Sequence, residues 1–120
     1  MIRIRIVGVA LASALVILLA APVAGARSTA ATATTVTVKM KEFKFILSRK
    51  TVSRGKVTFI VVNVGHLKHD FKIHGKKTAT IAPGKRTKLV VTFLKKGSFP
   101  YLCVTGQHYK YGMKGTLKVT

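Results

Sequence analysis

The sequence predicts an all-β Greek-key sandwich, and three observations carry that expectation. From Val36 onward the chain is a succession of short runs rich in Val, Ile, Phe and Thr. Glycine, proline or basic turns separate these runs at roughly the 8–12 residue spacing of sandwich strands. Several runs alternate apolar and polar side chains, and no stretch keeps a helical period of useful length. The expected count is about seven strands with no helix.

The first segment stands apart from the sandwich. Arg3 and Arg5 open the chain, an uncharged apolar run extends from Ile6 to Ala21, Pro22 breaks it, and Ala24-Gly25-Ala26 supplies small residues. This is the layout of a secretory signal peptide over residues 1–26, with a retained membrane anchor as the alternative. Either version exports the domain to a periplasm, the exterior or a cell surface. A lipid anchor is excluded, because the only cysteine is Cys103. Residues 27–35 are small, polar and low in complexity, and read as a flexible leader. The domain proper is expected over 36–120.

Val36, Val38 and Met40 alternate with Thr37, Lys39 and Lys41, after which the apolar parity switches to Phe43, Phe45 and Leu47. A bulge or bend near Lys41-Glu42 would repair that register. Arg54-Gly55 then turns the chain into a strand over Lys56–Asn63. Leu67, His69, Phe71 and Ile73 occupy alternate positions of the next, so its inward face carries a histidine, while Lys68, Asp70, Lys72 and His74 fall outward. Ala82-Pro83-Gly84 makes a tight turn before Lys88–Leu94, and Lys96-Gly97 another before Phe99, Tyr101 and Cys103, again on one face. The last strand is Thr116–Thr120.

Charge restricts the partners. The 120 residues hold 22 Lys and Arg against two acids, Glu42 and Asp70, for a net charge of +20. Such a surface suits acidic proteins, anionic lipid head groups or acidic wall polymers. Nucleic acid is not expected, because export removes the domain from it and no basic helix or stacking motif is present. Two acids leave little for acid–base catalysis, and no substrate-pocket signature appears, so an enzyme is not expected. A monomer is expected.

The chemistry concentrates in Tyr101–Gly115, where Cys103, His108 and Met113 recur five residues apart. A thiolate, an imidazole and a thioether are a soft donor set. Zinc favours four strong ligands, whereas copper cycling between Cu(II) and Cu(I) suits two imidazoles, a thiolate and a weak axial thioether. His69 is the natural second imidazole, because it lies on an apolar strand face where a lone histidine would need another partner. The plain alternatives are a small core residue for Cys103, a core histidine bonded to backbone for His69 and packing for Met113, although Gly112 and Gly115 beside Met113 suggest a closely fitted loop more than a core stripe. His66 and His74 have the wrong parity and are expected to be exposed.

The pattern Asn63-x-Gly65-x3-His69-Asp70-Phe71, followed by Gly97-x-Phe99-x-Tyr101-x-Cys103-x4-His108-x4-Met113-x-Gly115-Thr116-Leu117, resembles the small blue copper proteins, the plastocyanin and azurin family of cupredoxins. The resemblance implies a cupredoxin-like sandwich with one mononuclear type 1 copper ion. His69, Cys103 and His108 would be its strong ligands and Met113 its long axial one. It further implies that Asn63 hydrogen-bonds towards the cysteine loop, and that the protein carries single electrons between redox partners. Gln107 stands where many relatives have Gly or another small residue. A single cysteine excludes the two-cysteine dinuclear copper centre, and the absence of Cys-x-x-Cys-His excludes covalent haem. The rival readings are a copper carrier or buffer without a shuttle role, and a cationic adhesion protein.

Overall fold

The computed structural model describes residues 8, 12–18 and 33–120. The expected signal peptide and leader lie largely outside the described residues, and no described helix is long and apolar enough to cross a membrane. Among the described residues, nine strands build two facing sheets. The first has the order β2 (Lys44–Leu47), β1 (Thr34–Lys41), β4 (Gly55–Asn63), β7 (Arg86–Phe93). The second has the order β3 (Thr51–Val52), β9 (Lys114–Val119), β8 (Gly97–Leu102), β5 (Lys72–Ile73), β6 (Lys76–Lys77). Parallel pairing of β1 with β4 and of β3 with β9 interrupts the otherwise antiparallel ladders, so the chain crosses between sheets as a Greek key does.

Alternation fills the space between the sheets. Val36, Val38 and Met40 of β1 and Val57, Phe59 and Val61 of β4 are fully buried, and Tyr101 and Leu117 meet them from the second sheet. Phe59 and Phe71 pack with ring centroids 5.2 Å apart, and Phe45 meets both Phe71 and Tyr101 edge-on at 5.4 Å. Such aromatic pairs add about 0.5–1.5 kcal/mol each beyond the area they bury.

Three local expectations change. The parity switch after Met40 is a hairpin and not a bulge: Glu42-Phe43 forms a two-residue turn, and Lys41 pairs back with Lys44. Both devices reverse parity, so the alternating pattern alone does not tell them apart. Leu67–Ile73 is not one strand. It reduces to an isolated bridge between His69 and Ile81 followed by β5, which leaves Leu67 exposed and lets Asp70 turn inward to full burial. The fold also has a helix, a 3₁₀ segment over Thr105–Tyr111. The turn at Ala82-Pro83-Gly84 is as expected, with Gly84 at φ 79 and Lys85 N–H donating to the Ala82 carbonyl.

Close approach of β8 and β9 sets one glycine. Gly115 lies opposite Tyr101 in the ladder, and a Cβ there would run into the tyrosine ring and hydroxyl. Gly115→Ala therefore destabilises the fold by about 1–3 kcal/mol, the usual range for overpacking. Urea denaturation measures this, and an unchanged midpoint would show that Tyr101 moves aside freely.

Candidate metal centre

Cys103 follows β8 directly, and the loop behind it closes on its own backbone. Cys103 N–H donates to the Met113 carbonyl and Tyr109 N–H to the Cys103 carbonyl, both at 3.1 Å, while Met113 N–H donates to the His108 carbonyl at 3.3 Å. The 3₁₀ segment is kinked by Gly106 and Gln107, at φ 57 and 55. That kink folds His108 back over Gly106, where a Cβ would stand 2.9 Å from the imidazole Nε2. Gln107 holds a left-handed conformation that costs an L residue about 1–2 kcal/mol, so the loop stays tight despite the larger residue.

His69 comes from the other side of the site, fixed by reciprocal backbone hydrogen bonds with Ile81 of 3.2 and 2.7 Å. Its Nδ1 lies 3.0 Å from His108 Nδ1 and 3.9 Å from Cys103 Sγ, and His108 Nδ1 lies 3.7 Å from the same sulfur. The point equidistant from these three atoms is about 2.1 Å from each, the length of a first-row metal bond to nitrogen or sulfur. Met113, tied by backbone to Cys103 and His108, is fully buried beside them. The donors thus fit a single copper ion: two imidazoles, a thiol and a thioether, with no carboxylate in the cluster among the described residues. His69, Cys103 and Met113 are wholly buried, and His108 alone reaches towards the surface. His66 and His74 are exposed and outside the cluster, as expected, although Asp70 of the same parity is buried.

Burial pushes the Cys103 thiol up to about 11, against the Asp70 N–H that approaches its sulfur at 3.4 Å. A soft cation entering there displaces a proton. Burial likewise lowers the pKa of His69, with a hydrogen bond to Glu42 acting in the opposite sense.

Two residues that sequence reasoning missed hold the donors. Asp70 Oδ1 accepts Val104 N–H at 2.8 Å and Thr105 N–H at 3.4 Å, so its carboxylate and its own N–H both grip the cysteine loop, and Lys77 lies 3.7 Å from the other oxygen. Asn63 does not take that role. Its Nδ2 donates to the Leu67 and Ile81 carbonyls at 2.8 Å, and its Oδ1 accepts Gly65 N–H, which steadies the histidine side of the site. The second missed residue is Glu42, whose Oε1 accepts His66 and Leu67 N–H at 2.7 Å and faces His69 Nε2 at 3.3 Å. The available signal was that the chain has only two acids, and both are at the site.

Asp70→Ala leaves two loop N–H groups without their acceptor and costs about 1–3 kcal/mol, whereas Asp70→Asn keeps an acceptor oxygen and loses less. Thermal unfolding of the metal-free variants checks the order; equal losses would mean that the charge, and not the hydrogen bonds, holds the loop.

Fold and donors together define a β-sandwich built around one type 1 copper site. Residues 9–119 match the family model of the cupredoxin-like domain, and the chain belongs to that family. Among solved structures, dithionite-reduced auracyanin from Roseiflexus castenholzii is similar at 19% identity and TM-score 0.62, over 72% of this chain and 97% of that one. An azurin (Az-iso2) from Methylomonas sp. strain J is similar at 18% identity and TM-score 0.58, over 72% and 98%. A multicopper oxidase is similar at 17% identity and TM-score 0.58, over 72% of this chain but 44% of the oxidase. No curated protein matches the sequence.

Proposed function

We propose that this protein is an exported blue copper protein that carries single electrons between larger redox proteins, and that His69, Cys103, His108 and Met113 would hold its copper. Bound copper would supply a one-electron Cu(II)/Cu(I) couple. One observation carries the reading: a buried, N–H-supported sulfur donor shares a tight triangle with two imidazoles, of which only His108 reaches the surface. The donors are held from both sides by backbone and carboxylate bonds, so little rearrangement accompanies a change of charge. His108 is the edge through which an electron passes, beside Phe43 at 5.3 Å, whose ring in turn lies tilted against the exposed Tyr111 at 5.0 Å. It is not an enzyme in this reading. Acidic redox proteins are the partners its surface favours, and an anionic membrane or wall polymer would hold it near them.

The test is the visible spectrum of the copper-loaded protein, where an intense blue absorption reports a Cu(II)–thiolate bond. His69→Ala lowers copper affinity at least tenfold and changes that spectrum, whereas His66→Ala and His74→Ala leave both within error. His74 packs against Phe93 and Phe99 at 5.5 and 4.8 Å, so its loss touches packing and not the donors. A colourless wild-type protein, or equal losses from His69 and His74, sinks the assignment.

A further inference from the structure

Both imidazoles of the site are touched by one two-residue turn, Glu42-Phe43 between β1 and β2. Phe43 takes φ 59, a left-handed conformation that a bulky residue adopts only where its surroundings over-determine it. Its ring lies against His108. Glu42 faces the opposite histidine on the ring nitrogen turned away from the three donors, and its side chain is 28% exposed. A single oxygen, Oε1, accepts from His66 N–H, Leu67 N–H and the imidazole. The space it occupies is reserved by Gly65, where a Cβ would stand 2.6 Å from that oxygen. No positive φ is involved at Gly65, so the carboxylate and not the backbone demands the glycine there.

The structure assigns Glu42 as a positioning residue for His69. We infer that it holds the Nε2–H tautomer, turns the Nδ1 lone pair towards Cys103 and His108, and ties the Gly65–Leu67 segment to the same oxygen. With the Nε2 proton given to Glu42, Nδ1 has no proton of its own, and the 3.0 Å contact with His108 Nδ1 is bridged by the proton of His108. A carboxylate behind a ligating imidazole fixes ring orientation and strengthens the nitrogen as a donor, and loss of such a partner typically costs about 10–100-fold in metal affinity. This assignment rests on the proposed copper reading for its purpose, but not for its geometry.

The experiment uses the full chain as wild type, Glu42→Gln, Glu42→Leu and Gly65→Ala. In the metal-free protein, long-range proton–nitrogen NMR reads the His69 tautomer, and amide exchange reads the His66 and Leu67 N–H groups. Wild type and Glu42→Gln, which keeps an acceptor oxygen, give the Nε2–H tautomer and protected amides. Glu42→Leu and Gly65→Ala give mixed tautomers and amide exchange at least tenfold faster. Copper titration of the same four proteins gives affinities about 10–100-fold weaker for the latter pair. A wild-type His69 protonated on Nδ1, or a Glu42→Leu protein with unchanged tautomer and exchange, overturns the assignment. A wild type with the expected tautomer that binds no copper overturns the copper reading and supports the positioning. If Glu42→Leu does not fold, Gly65→Ala against Glu42→Gln makes the same comparison.

Discussion

Cys103→Ser yields a folded domain that no longer shows the intense visible absorption of the copper-loaded parent and no longer cycles rapidly between oxidation states. Serine is close to cysteine in size, and the pocket around residue 103 is set by Asp70 N–H and by backbone bonds to Met113 and Tyr109 that do not involve the sulfur. What changes is the donor: a hard, poorly ionised hydroxyl replaces a soft sulfur, and a copper–thiolate transition cannot arise without the thiolate. Far-ultraviolet circular dichroism and a visible spectrum, taken on one copper-treated sample, separate loss of the site from loss of the fold. A Cys103→Ser protein with the parent's visible band would show that the colour comes from elsewhere and that the triangle of donors is not the site.

The second large effect concerns rate. Reduction of an acidic acceptor by this protein slows about 10- to 10³-fold as ionic strength rises from about 0.01 to 0.15 M and the screening length falls from about 30 to 8 Å. The structure sharpens the reason. The chain's two carboxylates are committed to His69 and to the Cys103 loop, and among the described residues Lys77 is the only lysine or arginine with a carboxylate within ion-pair distance. The remaining described lysines and arginines, including Lys110 and Lys114 close in sequence to His108, have no carboxylate partner and are exposed apart from the half-buried Lys41. Lys110→Glu combined with Lys114→Glu slows the reaction further at low salt while leaving the visible spectrum as it was. Stopped-flow measurements against an acidic and a basic acceptor decide the matter. A rate that ignores salt, or a basic acceptor that reacts faster at low salt, would remove steering from the account and favour a surface-binding role for the charge.

The donors were legible because their signals are local and periodic. The five-residue spacing of Cys103, His108 and Met113 follows one closed loop, and His69 turns inward at its bridge to Ile81 although the strand expected through it is broken. What escaped was everything that depends on chain direction between elements. Asp70 reads as outward by parity, yet the strand through it is broken, and a residue outside a ladder is free to turn its side chain in. Glu42 reads as a bend residue, because the pairing of β1 with β2 that brings it over His69 is a tertiary fact. Asn63 lies at the site, as its motif implies, but its amide reaches the carbonyls of Leu67 and Ile81 in place of the cysteine loop, because the His69 bridge brings Ile81 close. The 3₁₀ segment has no hydrophobic period to announce it. Two left-handed residues, Gly106 and Gln107, interrupt it.

The closed loop has a further effect on the unfolded chain. Cys103, His108 and Met113 lie within eleven residues, so closing that ring of donors costs little entropy even without the sandwich around it, whereas His69 is contributed from 34 positions upstream of Cys103. A denatured molecule therefore keeps a three-armed chelator for soft cations. Metal that binds the unfolded ensemble offsets part of what it adds to the native one, and the rise in melting temperature on loading falls short of the value that native affinity alone would give. The same chelator gives a chain that has not yet folded the means to capture its ion first and assemble the two sheets around it afterwards.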